Sequence, residues 1–263
     1  MPRRLALYSD IHANLLALDA VLADIAASNI TERYCLGDLV GYGPAPSQVI
    51  ERIRSIGDPV IQGNYDRGVG GRLGDCGCYY ATAQARADGA ASYDFTVAAT
   101  SPEEAAYLSG LMPSLRLEVE GAEMLLCHGS PRKVNEYLMP DRPAEQLVRL
   151  AREADADLVC CGHVHIPYHR RLEGPDGHVH YVSTGSVGKP KDGDPRACWV
   201  ELVLGDEAEV RAACTDPAQG AIGRSDVHAG IVVHRVGYDV TAVAQAVIAV
   251  GLPSTLAEAL LSA

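Results

Sequence analysis

Several things are missing from this chain, and each absence excludes something. No apolar run approaches the roughly 20 residues needed to cross a bilayer, so a membrane-spanning protein is not expected. No basic n-region precedes an apolar h-region near the start, because Leu5–Ser9 is too short to serve as a secretory core, so the expected location is the cytoplasm. Positive charge is scarce: 22 Lys and Arg against 34 Asp and Glu leave a net charge of -12. That balance argues against general affinity for nucleic-acid backbones or anionic membranes. It does not exclude a phosphate ligand, because bound divalent cations would reverse the local sign. There is no G-x-G-x-x-G or Walker spacing, so neither of those phosphate loops is expected. Internal repeats and low-complexity tracts are also absent. The eight cysteines lie mostly within or beside apolar runs and, without a secretion signal, read as reduced core residues.

What is present is ordinary globular material, 263 residues with 48% hydrophobic and 21% charged, enough chain for a sizeable core. The first part alternates strand and helix. LALYS, YCLGD and PVIQG read as strands; Leu15 to Ala27 and Gln48–Ser55 read as helices, the second with Ser47 as N-cap. Such alternation implies βαβ units and a parallel sheet. Residues 67–78, with five glycines, read as a mobile loop. Residues 79–112 read as helical, broken at Ser101-Pro102, where Ser101 can cap and Pro102 can take the first helical position. LRLEV and EMLLCHG form an expected hairpin through Gly121. After a helix over Asp141–Ala154 and the buried strand DLVCCGH, a second hairpin joins HRRLE to HVHYVST. ACWVELVL is another strand. The expected fold is α/β: two sheets packed face to face with helices outside. From about Gly220 the chain changes character, with GIVVHRVGYDV as strand and turn and helices over Ala242–Val250 and Thr255–Leu261. That tail reads as an edge extension of a sheet or as an interface element, and it makes a homodimer a reasonable expectation.

Seven residues of metal-ligand type fall into five short clusters: Asp10 and His12 in SDIHAN, Asp38 in LGDLVGYG, Asn64 in QGNYD, His128 in CHGS, and His163 and His165 in CGHVH. Each lies where a strand-like apolar run gives way to a glycine or turn. In open α/β sheets, ligands gather beyond the carboxyl ends of the strands. A mixed Asp/Asn/His set suits Mn²⁺, Fe²⁺ or Zn²⁺ better than Ca²⁺, which prefers oxygen alone. A catalytic ion typically takes about three protein ligands and keeps a position open, so seven are too many for one ion and divide well between two.

The order of these clusters, D-x-H, G-D, G-N-x-D, H-G and G-H-x-H, resembles that of the calcineurin-like metallophosphoesterase superfamily. DIHANLLALDAVL, GDLVGYGPAPSQVI, HGSP, GHVHIP and STGSVGKPKDGDPRA are similar to its small bacterial and archaeal cytoplasmic branch. The resemblance covers about residues 3–204, and RVGYDVTAVAQAVIAVGLP is similar to that branch's tail. It implies a four-layer αββα fold: one domain over residues 1–263, with 220–263 as a C-terminal strand-helix extension. It implies two divalent ions, Mn first, with Fe, Zn, Co or Ni also accommodated. Asp10, His12 and His165 would hold one ion, and Asn64, His128 and His163 the other. Asp38 would bridge them, one carboxylate oxygen to each. It further implies a metal-bridging hydroxide attacking the phosphorus of a small phosphoester.

One position departs from the family pattern. The third motif usually reads Gly-Asn-His-Asp, with that His, oriented by the Asp, assisting the leaving group or binding phosphate; here it is Gly63-Asn64-Tyr65-Asp66. A phenol of ordinary pKa about 10 is a much poorer proton donor near pH 7 than imidazolium. Tyr65 could instead hydrogen-bond a phosphate oxygen, stack on an aromatic leaving group, or simply fill space beside Asp66. The weaker acid favours phosphodiesters or good leaving groups over alkyl monoesters. Asn14 and Arg132 are further candidate phosphate contacts, although helix capping explains Asn14 equally well and an isolated surface arginine is unremarkable.

The remaining polar residues read as structural. His169, His178 and His180 flank a hairpin turn, His228 and His234 have no partner pattern, and Cys76-Gly-Cys78 has no matching second pair. Cys160 and Cys161 read as small core residues, and Gly41, Tyr42 and Gly43 as a pocket wall or a tight connection. The expected activity is phosphodiester hydrolysis. The alternatives are a phosphomonoesterase, or a nucleotide-polyphosphate or phosphoprotein phosphatase. From another class comes a catalytically silent protein-binding scaffold, as in the retromer subunit that resembles these enzymes and has lost metal-binding histidines. All seven positions are filled here.

Overall fold

The structure, a computed structural model, describes residues 1–262. β1 (Arg3–Tyr8) is covered on both faces: Leu5 and Leu7 enter one core while Ala6 and Tyr8 enter another. Side chains alternate across a strand, so a strand packed on both sides reads as a continuous apolar run. α1 (Leu15–Ala27) buries Ala17, Leu18, Val21, Leu22 and Ile25, the spacing of one helical face. β2 (Glu32–Cys35) and α2 (Pro46–Ile56) complete the first unit, followed by α3 (Asn64–Gly70), α4 (Ala83–Ala99) and α5 (Pro102–Ser109). The hairpin β3 (Ser114–Val119) and β4 (Ala122–Cys127) leads through α6 (Ala144–Glu153) to β5 (Leu158–Cys161). A second hairpin, β6 (Pro167–Gly174) and β7 (Gly177–Thr184), precedes β8 (Ala197–Gly205), α7 (Glu207–Ala213), β9 (Gly220–Ala221) and β10 (His228–Val236). α8 (Val240–Ala249) and α9 (Ser254–Ser262) end the described chain.

The strands form two five-stranded sheets, ordered β2-β1-β8-β10-β9 and β3-β4-β5-β7-β6. Leu5, Leu7, Val200, Leu202 and Leu204 from the first sheet, with Leu36 just past β2, meet Met124, Leu126, Leu158, Cys160 and Val182 from the second. α1 and α2 cover the outer face of the first sheet, while α6 covers that of the second through Leu147, Leu150 and Ala151. This is the four-layer αββα arrangement expected from the sequence.

Several local expectations need correction. The first part does not build a parallel sheet of its own: β1 pairs parallel only with β2, and its other neighbour is the antiparallel β8. The longer parallel run is β4-β5-β7. PVIQG contributes only bridges, Val60 to Cys35 and Ile61 to Met112. α2 begins at Pro46 with Ala45 as its cap residue, and the Ser47 hydroxyl instead donates to the Ala99 carbonyl. The glycine-rich stretch is not loop throughout, because α3 reaches Gly70. α7 was not expected; an Asp206–Glu209 capping box starts it. Ser101 caps α5 as expected, with Glu104 completing its box. The tail extends one edge of the first sheet, the first of its two expected roles: β10 pairs along its whole length with β8, and the two-residue β9 pairs with its first two residues. No helix among the described residues is long and apolar enough to cross a membrane.

A buried polar chain fastens the second hairpin to β9 and β10. The His180 Nε2–H donates to the Ala221 carbonyl, so its Nδ1 is left to accept from His169 Nε2, 2.9 Å away. His169 Nδ1 faces Asp216, whose carboxylate also accepts from the Ile231 and Ala218 amides. Burial, with neighbouring His169 adding to it, holds His180 down to about 3. A histidine whose pKa is depressed on folding contributes stability that is present above about 6.5 and is lost as pH falls toward the folded value. Unfolding measured between pH 7 and pH 5 is expected to show a loss of about 2 kcal/mol from this residue. His180→Gln keeps the donor to Ala221 and removes that part of the slope; equal slopes for variant and wild type would rule the assignment out.

Candidate metal centre

All seven metal-type residues meet at one end of the two sheets, on the turns that follow β1, β2, β4 and β5 and at the start of α3. Five of them sit in left-handed backbone conformation: Asp10 (φ 53°), His12 (49°), Asp38 (54°), His163 (69°) and His165 (62°). Each such residue costs about 1–3 kcal/mol unless its surroundings enforce it, and such outliers cluster at functional sites. Two glycines make the crowding possible. A Cβ on Gly63 would lie 2.1 Å from Asp38 Oδ1, and one on Gly162 would lie 2.5 Å from Asp10 Oδ2. The glycines in GNYD and GHVH are therefore required by close approach of the facing carboxylates.

The histidine tautomers follow from their partners. Nδ1 of His12 faces the Val40 carbonyl at 3.1 Å, that of His128 the Leu36 carbonyl at 2.7 Å, and that of His165 the Lys189 carbonyl. A carbonyl only accepts, so each Nδ1 carries the hydrogen and each Nε2 points into the site, its lone pair free wherever the ring is neutral. His12 Nε2 and His165 Nε2 stand 3.1 Å apart, lone pair toward lone pair, an arrangement that calls for a cation between them. Asp10 Oδ1 lies 3.2 Å from His165 Nε2 and 3.8 Å from His12 Nε2. Asp10 Oδ1 and His163 Nε2 are buried with no hydrogen-bond partner.

The donor atoms of Asp10, His12 and His165 form one compact group, and those of Asp38, His128 and His163 form a second. Asn64 Oδ1 joins the second at 3.2 Å from His128 Nε2. Its amide nitrogen is turned away to the Cys76 carbonyl and Cys78 Sγ. Ligands bound at about 2.0–2.2 Å around one ion stand roughly 3–3.5 Å from each other, close to these separations. The residues present therefore fit two divalent ions.

Asp38 lies between the groups. Its Oδ1 accepts the Tyr65 N–H at 2.8 Å, and its Oδ2 faces His128 Nε2 at 3.4 Å and His12 Nε2 at 3.8 Å. The resemblance implies one carboxylate oxygen for each ion; in this arrangement Oδ2 is the oxygen of Asp38 that would be shared, while Oδ1 also serves the backbone of α3.

Charge balance supports the same fit. Burial pushes His12, His163 and His165 down and keeps them neutral, as metal ligation requires. Burial opposes charge on His128 as well, but the Asp38 and Asp10 carboxylates outweigh it and lift the ring to about 10. Burial alone would raise Asp10, yet the surrounding imidazoles hold it well below the ordinary carboxylate range. Both effects express one demand for positive charge among buried carboxylates, which bound cations would meet.

The other candidates are placed as follows. Asp66 sits beneath the Asp38 turn and accepts from three backbone amides: Asp38 (2.8 Å), Leu39 (2.9 Å) and Gly63 (2.9 Å). Burial and then the Asp38 charge raise it to about 7 against the pull of those amides. The Tyr65 ring packs against Gly41 and lies edge-on to His12 at 5.6 Å, and its buried hydroxyl has no hydrogen-bond partner. Asn14 caps α1 through Ala17 and donates to the Gly188 carbonyl and the Tyr238 hydroxyl, so both ends of its amide are taken. Arg132 makes a two-pronged ion pair with Glu136 at 2.9 and 2.7 Å. Cys76 and Cys78 are free thiols 3.2 Å apart.

Some neighbours went unnoticed in the sequence. Tyr137 covers His163, ring to ring at 4.1 Å. Burial lowers the Lys191 amine, while the Asp10 and Asp38 charges favour its protonated form; its backbone N–H donates to the His165 carbonyl. Arg67 follows GNYD directly and lines two cavities beside the second ligand group. Basic residues adjoining a metal motif were the available signal.

Residues 4–204 match the model of the calcineurin-like phosphoesterase superfamily domain, and the chain belongs to that superfamily. Among relatives, an uncharacterized protein of Methanocaldococcus jannaschii is 32% identical over 208 residues, covering 74% of this chain and 80% of the relative. A metallophosphoesterase from Sphaerobacter thermophilus is similar in structure, with 26% identity, a TM-score of 0.71 and coverage of 100% of this chain and 99% of the other. A hypothetical protein from Pyrococcus horikoshii OT3 shares the fold at 20% identity, with a TM-score of 0.73 over 98% of this chain and 97% of the other.

Proposed function

We propose that this protein is a phosphoester hydrolase working with two divalent ions, Mn²⁺ first among those that Asp, Asn and His ligands accept. The observation that carries this reading is the convergence of imidazole lone pairs and carboxylate oxygens with no protein donor between them. Asp10, His12 and His165 would hold one ion, Asn64, His128 and His163 the other, and Asp38 Oδ2 would be shared. When bound, such ions polarise the phosphoryl group and make water a usable nucleophile near neutral pH. The chain's own part is to present neutral histidines, to fix their direction through backbone carbonyls, and to hold the Asp38 turn on Asp66. Asp66 is on this reading a positioning residue. The catalytically silent scaffold is disfavoured by the complete ligand set.

Within this activity, diesters and good leaving groups are the favoured substrates. Tyr65 is buried, and burial pushes its phenol well above the ordinary value, so it is a poor acid for an alkoxide leaving group. Tyr65→His is expected to raise turnover of alkyl phosphomonoesters relative to bis-p-nitrophenyl phosphate by about 10²-fold, the lower end of a general-acid contribution. Parallel kinetics of variant and wild type on both substrates check this; an unchanged ratio would remove the proposed acid deficit. The hydrolase reading itself is tested by Mn²⁺-dependent hydrolysis of bis-p-nitrophenyl phosphate. Protein that stays inactive after loading with Mn, Fe, Zn, Co or Ni in turn would overturn it.

A further inference from the structure

A cavity of about 410 Å³ borders the second ligand group, with His128 in its wall and Arg67, Arg132 and Lys133 on its rim. A smaller cavity of about 200 Å³ lies along the same group, lined by Asn64 and again by Arg67. Arg67 therefore lines two cavities, one together with His128 and the other together with Asn64. The helix explains this: Asn64 and Arg67 are three residues apart on α3, so their side chains share a face.

The three cations around the larger cavity are not equivalent. Arg132 is neutralised by Glu136, which also takes Arg142 and the Ser130 hydroxyl. The exposed Arg67 and Lys133 side chains make no hydrogen bond or ion pair with any described residue. In a chain with 34 acidic residues and 22 basic ones, two unpaired cations on one cavity call for an explanation. No carboxylate lines the larger cavity. Guanidinium offers a planar fork and ammonium a compact point charge, and both are suited to phosphate oxygens.

We infer that Arg67 and Lys133 form an anion subsite that takes a second phosphoryl group of the substrate, beside the one held at the metal centre. The inference rests on the hydrolase reading and narrows its substrate class to small phosphoesters that carry more than one phosphoryl group, such as nucleotides with a pyrophosphate linkage. His128 lines this cavity, so the second group would sit on the His128 side of the metal centre. A substrate with one phosphoryl group would leave both cations in water.

The test compares adenosine diphosphate with adenosine monophosphate as inhibitors of bis-p-nitrophenyl phosphate hydrolysis, at fixed free Mn²⁺. Wild type is expected to bind the diphosphate about tenfold more tightly, the size of one charge-assisted contact. Arg67→Gln and Lys133→Gln are each expected to bring the ratio most of the way to one, while Arg211→Gln, an exposed arginine on α7, leaves it as in wild type. A wild-type ratio near one, or a ratio unchanged in both variants, would overturn the subsite. Calorimetric titration of the Mn-loaded protein with the same two nucleotides reads the ratio without turnover. Inactivity with a preserved ratio would therefore fault the hydrolase reading and leave the subsite standing; activity without the ratio would do the reverse.

Discussion

Asp38→Asn is expected to lower phosphoester hydrolysis on the order of 10³-fold, the scale of losing preorganised charge stabilisation at a two-metal site. Asp38 Oδ2 faces both ligand groups, at 3.4 Å from His128 Nε2 and 3.8 Å from His12 Nε2. Asparagine has nearly the same shape. Its carbonyl can keep the Tyr65 N–H, and its NH₂ would donate toward the imidazole lone pairs, filling the place a cation would take. The variant should thus fold as well as wild type without metal while binding less metal. Activity, bound metal and thermal midpoint measured together check this. Near-normal activity in a metal-loaded variant would mean that the two groups do not depend on Asp38.

Asp66→Asn is expected to cost about 2–4 kcal/mol of stability, large for an isosteric change. The two oxygens of Asp66 take three backbone N–H groups, from Asp38, Leu39 and Gly63. An amide offers one accepting oxygen, and its NH₂ would meet a donor whichever way it is turned. The buried N–H left without a partner carries its full desolvation penalty, and the Asp38 turn loosens with it. Denaturant unfolding should show the loss, and metal titration should show weaker binding. A change within about 0.5 kcal/mol, the usual range of surface substitutions, would show that the turn does not hang on this carboxylate.

The features legible in the sequence were those set by period and spacing. Leu15 to Ala27 is the observed α1 because its apolar residues repeat on one face. The two hairpins were readable from Gly121 and from the Gly174–Gly177 turn, where Gly121 (φ 86°) and Gly177 (φ 94°) are left-handed. The seven metal-type residues could be placed together because each lies where a strand-like run gives way to a glycine or turn.

The rest depended on distant partners. PVIQG looks like a strand, yet its neighbours there are single bridges, which no local pattern shows. β10 enters the first sheet beside β8 because its alternating residues meet the inter-sheet core, and a tail's sequence does not reveal which edge is open to it. The split of Asp38 between Tyr65 N–H and the site needed the fold of α3 over the turn. Arg67 and Lys133 lie 66 positions apart and came together only through packing.

The most direct test of the central claim is a count of ions per chain, with their positions found by anomalous scattering on Mn-reconstituted crystals. Two ions are expected, one among Asp10, His12 and His165 and one among Asn64, His128 and His163, with Asp38 Oδ2 between them. A single ion, or two that leave Asp38 unbound, would contradict the account.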